Sequence, residues 1–93
     1  MLEHYDLYIG TKSASTYTTA YITTMNEGIE TITLRARGRA ISNAVSVLEL
    51  LRNRLIPGRI EIDEVQFYTD VMEVEGQIPV NVSAIAITTK LRK

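Results

Sequence analysis

Between Arg59 and Phe67 polar and apolar residues alternate: Arg59-Ile60-Glu61-Ile62-Asp63-Glu64-Val65-Gln66-Phe67. A two-residue period sends successive side chains to opposite faces, so a strand is the only sensible reading of this run. A strand needs a partner for its backbone N–H and C=O groups. A second alternating stretch, Val80-Asn81-Val82-Ser83-Ala84-Ile85-Ala86-Ile87-Thr88, supplies one. The segment between them, Val71 to Pro79, reads as a long hairpin projecting from the sheet, with its turn near Glu75-Gly76.

The chain upstream alternates strands with helices. Tyr5, Leu7 and Ile9 alternate with Asp6 and Tyr8 in a short strand closed by Gly10. Ser13 is the expected N-cap of a helix in which Ala14, Tyr17, Tyr21 and Met25 fall at helical spacing. That helix is rich in threonine (Thr16, Thr18, Thr19, Thr23, Thr24), a poor helix former, so packing has to stabilise it. Asn26-Glu27-Gly28 stops it. Ile29, Ile32 and Leu34, separated by Thr31 and Thr33, form a second strand running into Arg35. After Gly38, the stripe Ile41, Ala44/Val45, Leu48, Leu51, Leu55 predicts a second helix with Leu55 as its last apolar position. Glu49 and Arg52 form an i,i+3 pair on its exposed side, and Pro57-Gly58 ends it. The order is β-α-β-α-β-β. It predicts an α/β two-layer sandwich with two helices on one face of a four-stranded sheet and a projecting β3–β4 hairpin. No linker or internal repeat divides residues 1–93, which read as a single domain.

Of the 93 residues, 45% are hydrophobic and 23% charged, enough apolar surface to exclude a disordered or low-complexity chain. The absence of cysteine excludes a disulfide framework, a thiolate nucleophile and a zinc site built on Cys. No apolar run approaches the roughly 20 residues that span a bilayer. Met1-Leu2-Glu3-His4-Tyr5-Asp6 lacks the basic start and apolar core of a signal peptide. The expectation is a cytosolic domain with no membrane partner. The lone histidine, His4, reads as a solvated or capping residue. Glu61, Asp63 and Glu64 read as a solvent-facing ladder, not an acid–base pair. Arg37-Gly38-Arg39 has no second glycine to make a P-loop or dinucleotide fingerprint, and no histidine stands ready to activate the serines and threonines. No enzyme, cofactor, metal or small-molecule substrate is expected.

The net charge is −1 and the pI near 5.8, which taken whole argues against a nucleic-acid partner. The charges, however, are segregated. From Arg35 to Arg59 there are six arginines (35, 37, 39, 52, 54 and 59) against Glu49, a net +5, while the rest of the chain carries −6. The densest point, Arg35-Ala36-Arg37-Gly38-Arg39, stands where a strand ends and a helix begins. A helix N-terminus presents unpaired N–H groups, and arginine suits phosphate contacts. Two readings compete: a phosphate-binding site, or a solvated turn whose arginines pair with local carboxylates.

The run Arg35-Ala36-Arg37-Gly38-Arg39-Ala40-Ile41-Ser42, with Ala44-Val45 and Leu51-Arg52-Asn53-Arg54, resembles the Alba family of archaeal chromatin proteins. Asn26-Glu27-Gly28, Ile9-Gly10-Thr11-Lys12 and Ile60-Glu61-Ile62 fit the same pattern, so the likeness extends from about Leu7 to Lys90. The resemblance implies a homodimer that binds double-stranded DNA, and often RNA, with little sequence preference. It also implies a chromosome-associated, cytoplasmic location and a basic block gathered on one face. Where the family has two adjacent lysines, this chain has Thr11 and Lys12, so the lysine whose acetylation lowers DNA affinity in some members is missing. Arg37, Gly38 and Arg39 match the family's central basic turn and are expected at phosphates, and Asn43 replaces a common lysine. The hairpin departs from the family's basic arms, carrying Glu73, Glu75 and Gln77. Arg52, Arg54 and Leu55 match the segment that joins neighbouring dimers, although the helical stripe equally predicts that Leu55 is core. Three functions are compatible with this: an architectural DNA binder, chiefly an RNA binder, or a heterodimeric partner of a more basic paralogue.

Overall fold

In the computed structural model, which describes residues 4–92, two strands run parallel side by side: β1 (His4–Tyr8) and β2 (Thr31–Arg37). Parallel neighbours cannot be joined by a tight turn, so the chain crosses over through a helix, α1 (Ala14–Asn26). A second helix, α2 (Ala40–Leu50), continues into a π-helical turn (Leu51–Leu55). The long strands β3 (Ile60–Met72) and β4 (Val80–Leu91) complete a mixed sheet of order β1-β2-β4-β3. The predicted element order is therefore the observed one. The hairpin is also where alternation placed it: Gln77 N–H donates to the Val74 carbonyl at 3.0 Å, with Gly76 at φ 76°.

The core lies between the helices and one face of the sheet. Tyr17 and Tyr21 of α1 and Ala44, Val47, Leu48 and Leu51 of α2 and its extension pack on Ile32, Leu34, Ile85 and Ile87. One polar relay runs through this layer. Tyr21 donates its hydroxyl to Thr89 Oγ1 at 2.8 Å, and Thr89 donates in turn to the Ile32 carbonyl at 2.7 Å. The threonines of α1 are accommodated by bonding their own helix: Thr18 donates to the Ser15 carbonyl and Thr24 to that of Ala20. Ser13 does stand at the cap position, but through its carbonyl, which accepts from Thr16 N–H at 3.0 Å. Its hydroxyl faces those of Ser15 and Thr16.

Two expectations need correction. The α2 stripe turns inward at Val47, not Val45, and ends at Leu51. Beyond Leu51 the π turn, closed by Ile56 N–H to the Leu51 carbonyl at 2.9 Å, rotates the chain off the α-helical stripe. Leu55, at 49% exposure, is consequently not core. The Arg59–Phe67 run is not an unbroken alternation either: its apolar phase slips between Ile62 and Val65, and the sheet absorbs the slip as a β-bulge at Asp63. The burial of β3 is slight. As the edge strand it buries only Ile60, leaving Val65 43% and Phe67 75% exposed.

Burial pushes the Tyr21 phenol above its ordinary pKa, with the Thr89 bond opposing the shift. A raised folded-state value means that this contribution is complete below about pH 10 and is lost as the pH rises through the folded-state pKa. Tyr21→Phe leaves the Thr89 lone pair unanswered and should cost about 1–2 kcal/mol at pH 8. Urea unfolding should show that gap closing toward pH 11; a gap independent of pH would contradict the relay.

Candidate nucleic-acid interface

Because β1 and β2 are parallel, both end at the same edge of the sheet, and each leads directly into a helix. The N-termini of α1 and α2 therefore open side by side, with their unpaired N–H groups and positive dipole ends. Two short connections form the edge: residues 9–13 after β1, and Gly38-Arg39 after β2.

The second connection is held by its glycine. Gly38 adopts φ +57°, a left-handed conformation costly for other residues. It donates its N–H to the Ser83 carbonyl of β4 at 2.8 Å, and a Cβ here would stand 3.4 Å from Val82 Cγ1. The turn is thus pinned to the sheet, and Arg37 and Arg39 leave it on either side. The first connection is held by Asn43. Its side-chain amide donates to the carbonyls of Gly10 and Lys12, both at 2.8 Å, tying the Lys12 loop to α2. Lys12 N–H reaches the Tyr17 hydroxyl at 3.3 Å, and Gly10 leaves that hydroxyl room, since a Cβ there would come within 2.9 Å of it.

Lys12, Arg37, Gly38, Arg39 and Asn43 are therefore brought together, but with unequal freedom. Lys12 and Arg39 are exposed and pair with no carboxylate among the described residues. Arg37 is also exposed, but its guanidinium donates to Asp70 of β3 at 3.2 Å. Asn43 is not a free hydrogen-bonding group, because its amide is committed to the loop. It is a positioning residue. Sequence reasoning did not single out Asp70. The pairing depends on a β3–β4 register that sets Asp70 opposite Val82, beside the Arg37–Ala84 pair, and no local pattern reveals it.

The arginine block does not stay on one face. Arg35 turns to the helix-free side of the sheet, donating to Asp6 at 3.0 Å and to Tyr68 at 3.5 Å. The Asp6 bond is the main reason its pKa rises further. Arg52, Arg54 and Leu55 stand at the far end of α2, roughly 20 Å along the helix from Arg39. There Arg52 lies 4.0 Å from Glu49, whose other oxygen accepts from Asn53 at 2.7 Å. Lys90 and Arg92 answer the ladder carboxylates Asp63 and Glu61. His4, at the start of β1, lies 2.8 Å from Thr33 Oγ1. Among the described residues no three His, Cys, Asp or Glu side chains cluster as metal ligands, and no helix is long and apolar enough to cross a membrane.

Known proteins share this fold. Residues 6–69 match the Alba family model. A protein of Methanocella arvoryzae named DNA/RNA-binding protein Alba is 39% identical over 84 residues, covering 90% of this chain and 86% of its own. Its namesake from Pyrobaculum neutrophilum is 32% identical over 85 residues, covering 91% and 92%. Among solved structures, Alba from Thermoplasma volcanium superimposes with a TM-score of 0.83 at 33% identity, covering 91% of this chain and 98% of that one. ALBA1 from Trypanosoma brucei shares the fold at 20% identity, with a TM-score of 0.73, covering 92% and 68%.

The Asn43 clamp predicts that Asn43→Ala, which leaves the net charge untouched, lowers stability by about 1 kcal/mol. The change should concentrate in the residue 10–12 loop, as faster hydrogen exchange at the Lys12 amide. Unaltered exchange there would show that the loop holds its shape without Asn43.

Proposed function

The chain belongs to the Alba family, and from that premise we propose that it binds double-stranded DNA, and RNA, without sequence preference, as a homodimeric architectural protein of the chromosome. It acts by binding, not by catalysis. The observation that carries this reading is the convergence of two helix N-termini with Lys12, Arg37 and Arg39 on one edge. Such an edge offers backbone N–H groups and cations to phosphate oxygens, contacts that carry no sequence information.

Arg37 is the tempered member of the set. One of its N–H donors is engaged by Asp70, and that carboxylate repels a neighbouring phosphate, so Asp70 sets how much this arginine adds. Arg39 and Lys12 carry no such cost. The hairpin has no cation to place on phosphates, and Glu73 and Glu75 keep its end away from them.

Dimerisation is supported by the helix side of β3. Val65 pairs with Ile87 and Phe67 with Ile85 in the ladder, so both share the face that elsewhere forms the core, yet no helix covers them. Val45 of α2 is exposed on the same layer. A second copy laid against this face removes an apolar patch of the kind that soluble monomers rarely leave open. The exposure of Leu55, flanked by Arg52 and Arg54, supports its use between neighbouring dimers.

Two copies of Lys12, Arg37 and Arg39 amount to about six phosphate contacts, each contributing a log–log salt slope of about −0.9. Arg37→Ala should weaken binding to all duplex sequences alike and flatten that slope. Asp70→Asn should tighten binding, because Arg37 is released. Titration of several unrelated duplexes across salt tests both; loss confined to one sequence would refute non-specific binding. In ultracentrifugation Phe67→Glu should yield monomers. Leu55→Glu should stay folded and dimeric but coat long DNA without cooperativity; unfolding of either variant would contradict the exposure of that side chain.

A further inference from the structure

The sheet has a helix-free face that meets the phosphate edge only at Arg37. The strand register places Tyr8, Arg35, Ala86 and Gln66 in one row across it, and Arg37, Ala84 and Tyr68 in the next. The two small alanines leave room for Arg35 to reach over β4 to the Tyr68 hydroxyl at 3.5 Å. Tyr8 stands at the border of this face with 71% of its surface open. At the carboxyl ends of β1 and β2 the face opens into a cavity of about 470 Å³, lined among others by Tyr8, Tyr17, Arg35, Arg37 and Asp70. That volume falls within the range of small-ligand sites, about 300–1,000 Å³.

We propose that this face binds an unpaired nucleotide of a single-stranded nucleic acid, with its base stacked on Tyr8 and its phosphate and sugar toward the cavity bordered by Arg35 and Arg37. The proposal takes its ligand class from the nucleic-acid reading above but assigns it a different face, which shares only Arg37 with the edge, and a different mode. Every base has a π-face, so an exposed aromatic ring beside guanidinium planes serves any sequence. The side chains are held in place for this. Arg35 donates to Asp6 at 3.0 Å and Arg37 to Asp70 at 3.2 Å, so each guanidinium has a partner on this side before a ligand arrives. Tyr17 accepts from Lys12 N–H at 3.3 Å, and its own proton has no protein acceptor among the described residues, which leaves it free to donate to a ligand oxygen. A double helix keeps its bases stacked inside and cannot use Tyr8 in this way. Since each arginine already faces a carboxylate, stacking outweighs phosphate neutralisation here. Salt should therefore weaken single-strand binding less steeply than duplex binding.

The test uses the full chain and three fluorescent probes: a 12-nucleotide oligoadenylate as RNA, the same sequence as DNA, and a 16-base-pair DNA duplex. Tyr8→Ala should weaken single-strand binding about ten-fold or more, the weight of one stacked base, and leave duplex affinity within about two-fold. Tyr8→Phe should retain single-strand binding because the ring is kept, and Arg39→Ala should do the reverse of Tyr8→Ala. Dependence on Tyr8 with either single strand supports the proposal, and the stronger of the two identifies the sugar. Equal losses on single strands and duplex, or no loss on either, overturn it. A wild-type protein that binds duplex but no single strand overturns it while leaving the duplex reading intact. Tyr8-dependent single-strand binding without duplex binding upholds it and refutes the duplex reading.

Discussion

The parallel pairing of β1 with β2 is the constraint from which the rest of the architecture follows. Five residue pairs, His4–Thr31 through Tyr8–Arg35, set the two strands in the same direction. The connection between them has to travel the length of the sheet and return, and a right-handed helical crossover is the solution that packs. Both strands then finish at one edge and both helices begin there. A basic turn written after β2 thereby becomes the neighbour of a lysine written some 25 residues earlier, after β1. The Gly38–Ser83 hydrogen bond fastens that edge to β4. With β4 between β2 and β3, four successive residues from Ala84 to Ile87 are buried, whereas β3 at the rim buries only Ile60.

What could be read from the sequence was what rests on local periodicity. The element order, the two helices, the hairpin turn and the clustering of Lys12, Arg37, Gly38 and Arg39 all came from spacing, punctuation and resemblance. What escaped depends on contacts between distant residues. The π turn at Leu51–Leu55 has no compositional mark, so Leu55 kept its place in the stripe until the extra residue in the turn moved it out. The bulge at Asp63 was visible as a slip in apolar phase, but a strand-long pattern conceals a one-residue insertion. Asn43 stood out as a missing charge, and its role as a clamp on Gly10 and Lys12 required the loop to be folded against α2. Periodicity gives the face of an edge strand but not what covers it, which is why the exposure of Phe67 could not be anticipated.

The electrostatics sharpen in the same way. Net charge describes a chain poorly when its arginines are sorted by fold into separate environments. Arg35 is committed to Asp6, Arg37 is shared with Asp70, Arg52 lies near Glu49, and of the central turn only Arg39 is unpaired among the described residues. An exposed ion pair contributes little to stability, with a median of about 0–1 kcal/mol. Asp6 and Asp70 therefore matter more for where they hold an arginine than for how firmly they hold the fold. Each draws a flexible cation toward a tyrosine or the rim of the cavity.

That division gives the proposed surfaces opposite demands. On the edge, affinity for a polyanion grows with mobile, unpaired cations, and every carboxylate nearby subtracts from it. On the helix-free face, a guanidinium paired with a carboxylate carries less net charge, which suits stacking better than phosphate neutralisation. Arg37 belongs to both, since it leaves the Gly38 turn yet lies against Asp70 and lines the cavity. If both proposals hold, its carboxylate partner weights Arg37 between the two modes: losing the Asp70 contact frees the guanidinium for the edge, and keeping it leaves Arg37 with Tyr8 and Arg35. The acidic character of the chain is then more than a loss of affinity relative to a basic protein. On the two proposals, at this position it weights which surface the arginine serves.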